Sequence, residues 1–291
     1  MTSREFIDEV MASPICPEGF LELYSDFRRF QAEAIRALLE FHRVCEKNGV
    51  LYQAAYGSLL GAVRDGGQIP WDYDVDVFVP YSEREKLIRA LEADLGDDFY
   101  YYSPETDGRC RHMIIRLVPK GYRTEALHVD VFFLVGVPDD EAERMRFAKK
   151  IRKLTEKRFY KFVNIGEESR PGSRYRMKLM LLRTAYSLCP IDLIQKEYDK
   201  LCGKYPCRES EYFVEGSFFA DKKYRIPKRM VYETELLETD FGKVRVPADH
   251  DGLLRLIYGN YMQPPSLEAR LDELMQHYRR LKQFESYGKK N

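Results

Sequence analysis

The chain has 291 residues, of which 44% are apolar and 32% charged, with 47 Lys and Arg set against 47 Asp and Glu. That is the composition of an ordinary globular protein, long enough for one large domain or two modest ones. The charge balance excludes an overall basic field of the kind that grips nucleic-acid phosphates, so no nucleic-acid partner is expected.

Six cysteines (Cys16, Cys45, Cys110, Cys189, Cys202 and Cys207) include no CxxC pair, and the first residues lack the apolar stretch of a signal peptide. The expectation is a reduced, cytoplasmic protein. No run reaches the ~20 apolar residues of a membrane span. The most apolar run, 177–189, is interrupted by Lys178 and Arg183 and has Arg174 and Arg176 just before it. It reads first as a core helix with solvated basic flanks, and second as a segment lying on the inner face of a membrane.

Taken in order, residues 23–47 carry Phe27, Phe30, Ile35, Leu38, Leu39 and Val44 at helical spacing, with Asn48-Gly49 as the stop. Residues 50–56 read as a short strand, Gly57-Ser58 as a tight turn and 59–64 as a short helix. After Asp65-Gly66-Gly67, residues 74–79 alternate polar and apolar up to Pro80, as a strand does. Ser82 and Glu85 suggest a capping box for a helix running to Leu95. Strands are expected over 113–118 and 127–135, and a helix over 139–162. The remainder reads as mostly helical, with a hairpin of 231–238 against 243–246 and helices over 249–258 and 266–284. Residues 167–173, with Pro171 and Gly172, mark the best internal boundary. They divide a catalytic core over 1–165 from a C-terminal part over 166–291 that packs on it and completes the substrate site.

The chemistry concentrates in 71–79. On a strand Asp72, Asp74 and Asp76 share one face, while Val75, Val77 and Val79 point to the other. Three acids on an otherwise apolar strand repel one another and call for a compensating cation. Simple solvation of an exposed strand end is the bland alternative, which the flanking valines disfavour. A calcium loop fits Asp72, Asp74, Asp76 and Glu83, but fails at Val77, where that loop needs Gly. Asp130, within Leu127-His128-Val129-Asp130-Val131, is the candidate third acid of a two-metal site, and His128 beside it reads as a packed residue. Gly57, Ser58 and Arg64 are candidates to hold a phosphate.

These residues resemble the LicD family of phosphotransferases, related to the animal fukutin-related proteins. The resemblance runs from Val44-Cys45-Glu46-Lys47-Asn48-Gly49 through 56–64 to Ile69-Pro70-Trp71-Asp72-Tyr73-Asp74-Val75-Asp76-Val77. It resumes at Val129-Asp130-Val131-Phe132 and at the closing motif Tyr258-Gly259-Asn260-Tyr261-Met262-Gln263-Pro264-Pro265. It implies an α/β fold, a nucleotidyltransferase-like mixed sheet flanked by helices, with metal-binding acids at Asp74, Asp76 and Asp130. It further implies a nucleotide-activated alcohol donor such as CDP-choline, and as acceptor a sugar or glycan, in some members a lipid-linked precursor. Two departures stand out: Tyr73 replaces a common Asp, and Asp65 follows Arg64 where His is usual.

The expected reaction uses Mg²⁺ or Mn²⁺, two ions in all, held by Asp74, Asp76 and Asp130, with CMP as the leaving group. Asp130 is also a candidate to take the acceptor proton, and Asp72 to orient rather than ligate. Trp71 and Tyr73 are the expected contacts for a quaternary ammonium. Two rivals are a nucleotidyltransferase moving NMP from an NTP, and a non-catalytic scaffold. A zinc site on Cys202 and Cys207 is rejected, since His250 and His277 fall in helices far along the chain.

Overall fold

The computed structural model describes residues 1–168, 172–217 and 225–288. The internal boundary expected over 167–173 therefore falls partly on residues outside those described. Helix α1 (Ser3–Met11) leads into α2 (Phe20–Asn48), whose buried Phe27, Phe30, Ala34, Leu38, Phe41 and Val44 form one stripe. Gly49 ends α2 at φ 61°, donating its N–H to the carbonyls of Cys45 and Glu46.

The centre is a mixed sheet. Strand β1 (Gln53–Ala54) pairs antiparallel with β2 (Val75–Pro80), which pairs in parallel with β5 (Val129–Val137). On the far side of β5, β4 (Ile115–Pro119) and then β3 (Phe99–Tyr102) follow, both antiparallel. The upper half of β5 pairs with β6 (Tyr212–Glu215), and β6 with the two-residue β7 (Ile226–Pro227). Val75, Val77, Phe78 and Val79 of β2 and Val129, Val131, Phe133 and Leu134 of β5 are all buried. Only Asp76 and Asp130 interrupt the two strands, both half-buried.

Between β1 and β2 the chain forms α3 (Tyr56–Leu60), running into a π-helical turn, Gly61–Asp65. The expected strand over 50–56 is cut to two residues because Tyr56 turns the backbone at φ 45°. After β2 comes a 3₁₀ turn, Tyr81–Glu83, then α4 (Arg84–Asp94). The capping box expected from Ser82 and Glu85 does not form, because the chain leaves Pro80 already in the tighter helix and no side chain caps its start. Asp140, by contrast, caps α5 (Glu141–Phe162) by accepting from the Glu143 N–H.

The next helices are α6 (Ile165–Glu168), α7 (Arg174–Ser187) and α8 (Ile191–Cys202). Phe147, Ile151, Ile194 and Tyr198 of α5 and α8 pack on Val135 and Val214 in a second apolar cluster. The core-helix expectation for 177–189 does not hold, since Leu179 is the buried residue of α7. Met230 and Val231 are drawn into a helical turn, α9 (Arg229–Tyr232), so the hairpin starts later than expected, as β8 (Thr234–Thr239) and β9 (Gly242–Pro247). Helices α10 (His250–Tyr258) and α11 (Leu267–Gly288) close the fold. No helix of the described residues is long and apolar enough to cross a membrane.

Helix α11 is tied to α2 by charge. Asp26 bonds Tyr278 (2.9 Å), Lys282 (3.0 Å) and Arg29 (2.9 Å), while Glu285 bonds Arg29 and Lys282. Partial burial works against the Asp26 carboxylate, yet Lys282, Arg29 and Tyr278 together hold it below the usual range. A depressed carboxyl contributes stability above its unfolded value of ~3.9 and loses it as pH falls through the folded value. Asp26→Asn is therefore expected to lower the melting temperature by about 1–3 °C at neutral pH. That gap should narrow as the pH falls below the unfolded value and through the folded one, measured by thermal unfolding across pH.

Candidate active site

The acids sit where the sheet dictates. Asp76 and Asp130 are register partners across β2 and β5, and Arg116 on β4 is the partner of Asp130 on its other side. The lateral row Asp76, Asp130, Arg116 therefore crosses three adjacent strands on one face. Arg116 donates from Nε to Asp130 Oδ1 at 2.8 Å, and His128 Nε2 lies 3.3 Å from the same oxygen. Burial disfavours the Asp130 charge, but Arg116 and His128 outweigh it and hold the carboxyl far below the ordinary range. Asp76 lies in the opposite situation. Burial first, then Asp130, Asp74 and Asp72, push its carboxyl well above the ordinary value.

The turn before β2 keeps the alternation read from the sequence. Tyr73 and Val75 are buried, while Asp72, Asp74 and Asp76 are half-buried on the other side. Asp72 Oδ1 accepts from the Asp74 N–H at 3.0 Å and lies 3.7 Å from His277 Nε2 of α11. Burial, then the Asp74 charge, push the Asp72 carboxyl up to about 7. His277 is also raised: burial opposes its charge, but Glu273, Asp74 and Asp72 prevail. Ligand atoms of Asp72, Asp74 and His277 lie within 4.8 Å of one another, so the three can converge on one ion. Among the described residues no Lys, Arg or His forms an ion pair with Asp74 or Asp76, so a cation could be held by these two carboxylates.

Local structure fixes these groups. Ala55 donates its N–H to the Asp76 carbonyl at 2.9 Å, and the Asp76 N–H donates to Ser58 Oγ at 2.8 Å. The hydroxyl of Ser58 thus clamps the β2 backbone. Tyr56 holds its left-handed conformation, which costs an L-residue ~1–2 kcal/mol, with its ring edge-on to Phe78 and Phe132. Gly57 makes a close approach: a Cβ there would stand 3.0 Å from Asp72 Oδ2, so that carboxylate would have to shift.

The acids open on a cleft of about 440 Å³, within the usual range for small-molecule sites. One wall is Tyr56, Gly57, Leu60 and Arg64; the other comes from Tyr258 at the end of α10, from Asn260, Tyr261 and Gln263 in the loop after it, and from Glu273 of α11. Trp71 lines the cleft, packed on Phe6 (5.4 Å) with the Arg64 and Arg270 guanidiniums 5.6 and 5.2 Å from its ring. Arg64 pairs with the buried Asp65 at 2.7 Å, which accounts for an acid following Arg64. Tyr73 does not line the cleft; it is buried between Phe27 and His277, its hydroxyl without a hydrogen-bond partner among the described residues.

The fold is thus mixed α/β, with an acidic strand beside a cleft of small-molecule size. Residues 49–163 match the family model described as LicD/FKTN/FKRP, nucleotidyltransferase domain. The chain is 25% identical over 269 residues to the lipopolysaccharide cholinephosphotransferase LicD of Haemophilus influenzae, covering 86% of this chain and 97% of that protein. It is 55% identical over 47 residues to the ribitol 5-phosphate transferase FKRP of mouse and of human, covering 15% of this chain and 10% of those proteins. The protein thus carries a LicD-family domain and is a transferase enzyme of the LicD type.

Of the residues singled out from sequence, the structure gathers Gly57, Arg64, Trp71, Asp72, Asp74 and Asp76 around one cleft, with Asp130 beside Asp76. Arg116, Glu273 and His277 were not foreseen. Arg116 had a signal, an isolated charge within the apolar run Ile114-Ile115-Arg116-Leu117-Val118. His277 lies in the helix expected for it, but distance along the chain hid its place beside Asp72. Cys202 and Cys207 are buried free thiols, and the cluster among the described residues whose ligand atoms could meet on an ion is Asp72, Asp74 and His277.

Removing one partner of a buried pair strands the other. Arg116→Met should destabilise the fold by about 3–5 kcal/mol in urea unfolding. Adding Asp130→Asn should restore much of that loss, the coupling expected of residues in contact. A second consequence concerns Gly57→Ala, whose new methyl group displaces the Asp72 carboxylate. Turnover should fall by about tenfold or more while the melting temperature moves by less than about 2 °C.

Proposed function

We propose that the protein transfers phosphocholine from CDP-choline to a hydroxyl of a cell-surface glycan or its precursor, releasing CMP, with a divalent ion, Mg²⁺ or Mn²⁺, at the acids. The observation that carries this reading is the pair Asp74 and Asp76, crowded, half-buried, unmatched by a basic side chain and opening on the cleft. The likeness to a cholinephosphotransferase over most of the chain supports the transferred group.

In this reading Asp74 and Asp76 hold the ion, with Asp130 behind Asp76 and Asp72 with His277 on the other flank of Asp74. A divalent ion held by these residues would supply positive charge against that developing on the donor pyrophosphate. Asp130, already engaged by Arg116 and His128, anchors the acid row rather than accepting the acceptor proton. Arg64, its charge shared with Asp65, orients the cleft wall through Trp71 and the Tyr261 carbonyl. A quaternary ammonium against Trp71 would meet two guanidiniums, and Tyr73 is out of reach. The aromatic face we assign to the choline headgroup is Tyr258, 43% exposed at the rim of the cleft.

A panel of CDP-choline, CDP-ethanolamine, CDP-glycerol and CDP-ribitol with Mg²⁺ and candidate sugars, followed by phosphorus NMR, tests the reading. CMP release should be fastest with CDP-choline, and Asp74→Asn should reduce it by about a hundredfold or more. Pyrophosphate release from an NTP, with no CMP from any CDP-alcohol, would replace this reading by nucleotidyl transfer. Tyr258→Ala should raise KM about three- to tenfold for CDP-choline and leave KM for CDP-glycerol nearly unchanged.

A further inference from the structure

Helix α7 is built inside out for a globular protein. Leu179 is its buried residue, while Met177, Met180, Leu181 and, one residue past its end, Leu188 are 62%, 53%, 67% and 91% exposed. At ~100° per residue these four fall within an arc of ~100° on the side opposite Leu179. Arg174 and Lys178 lie along one edge of that stripe, Arg176 and Arg183 along the other. No Asp or Glu occurs anywhere from Gly172 to Ile191.

The neighbouring elements extend the same surface. Helix α5, against which α7 packs, exposes Arg146, Lys149, Lys150, Arg152 and Lys153 beside Met145. Glu156 is the one acid between residues 144 and 166. Leu193 of α8 is 58% exposed. Seven of the fourteen large apolar side chains exposed among the described residues fall within 145–193. The chain has no net charge, so this positive, apolar region is a segregation of charge and not a reflection of composition.

We infer that α7, with the outer face of α5, is a docking surface for a bilayer rich in anionic phospholipid. The apolar stripe would enter the boundary between headgroups and acyl chains, and the Arg and Lys on its two edges would reach back to the headgroup phosphates. A second copy of the chain fits poorly, because an isologous contact through this stripe would set the basic edges of one copy against those of the other. The inference does not depend on which group the enzyme transfers.

Vesicle co-sedimentation of the whole chain tests it. The protein should pellet with phosphatidylglycerol–phosphatidylcholine vesicles, be released as salt rises, and remain soluble with phosphatidylcholine alone. Met177→Asp with Leu181→Asp should weaken the binding by about tenfold or more. Both side chains are largely solvent-exposed, so the thermal unfolding curve should not move, which separates lost docking from lost folding. Absence of pelleting by the wild type, or equal pelleting by the double variant, would overturn the inference. So would a dimer in analytical ultracentrifugation that the double variant dissolves, since the stripe would then be a protein interface.

Discussion

The structure depends on a pairing that electrostatics alone would forbid. Strand β2 lies parallel to β5 in the register that sets Asp76 opposite Asp130, two carboxylates on the same face in the middle of a buried sheet. Like charges side by side in low dielectric raise one another's proton affinity, and burial adds to the effect. The fold answers at one end of the row, where Arg116 on the next strand neutralises Asp130. At the other end Asp76 and Asp74 have no such partner on the next strand, and that asymmetry is what motivates the proposal of a cation there.

Much of the surrounding architecture serves to keep this row in place. Ser58 and Ala55 hold the backbone of Asp76, and the strained Tyr56 is the cost of turning from β1 into α3 within hydrogen-bonding distance of β2. Gly57 lets Asp72 approach the α3 backbone, and α11 returns from the end of the chain to set His277 against Asp72. The charged ties between α2 and α11 thus bear on the site as well as on stability, because they fix the helix that carries Glu273 and His277.

The sequence showed the alternation of Asp72, Asp74 and Asp76 with buried neighbours because strand periodicity is local, and the structure keeps it even where the strand itself begins only at Val75. The long apolar stripe of α2 and its Gly49 stop were legible for the same reason. What was not legible depends on tertiary contact. Strand β3, Phe99–Tyr102, carries no polar alternation, and β6 is a four-residue strand that finds its partner only once β5 is in place. His277 and Glu273 sit some two hundred residues from the acids they face. Residues 177–189 look like a core helix in hydropathy, yet their apolar side faces outward, a choice that composition cannot reveal.

The central claim is that the acid row exists to hold a divalent cation. Titration of the metal-free protein with Mn²⁺, followed by electron paramagnetic resonance, addresses this without reference to any substrate. The account predicts saturable binding that Asp76→Asn weakens by about tenfold or more while leaving the protein folded. Binding of equal affinity in wild type and Asp76→Asn, or no saturable binding at all, would contradict it.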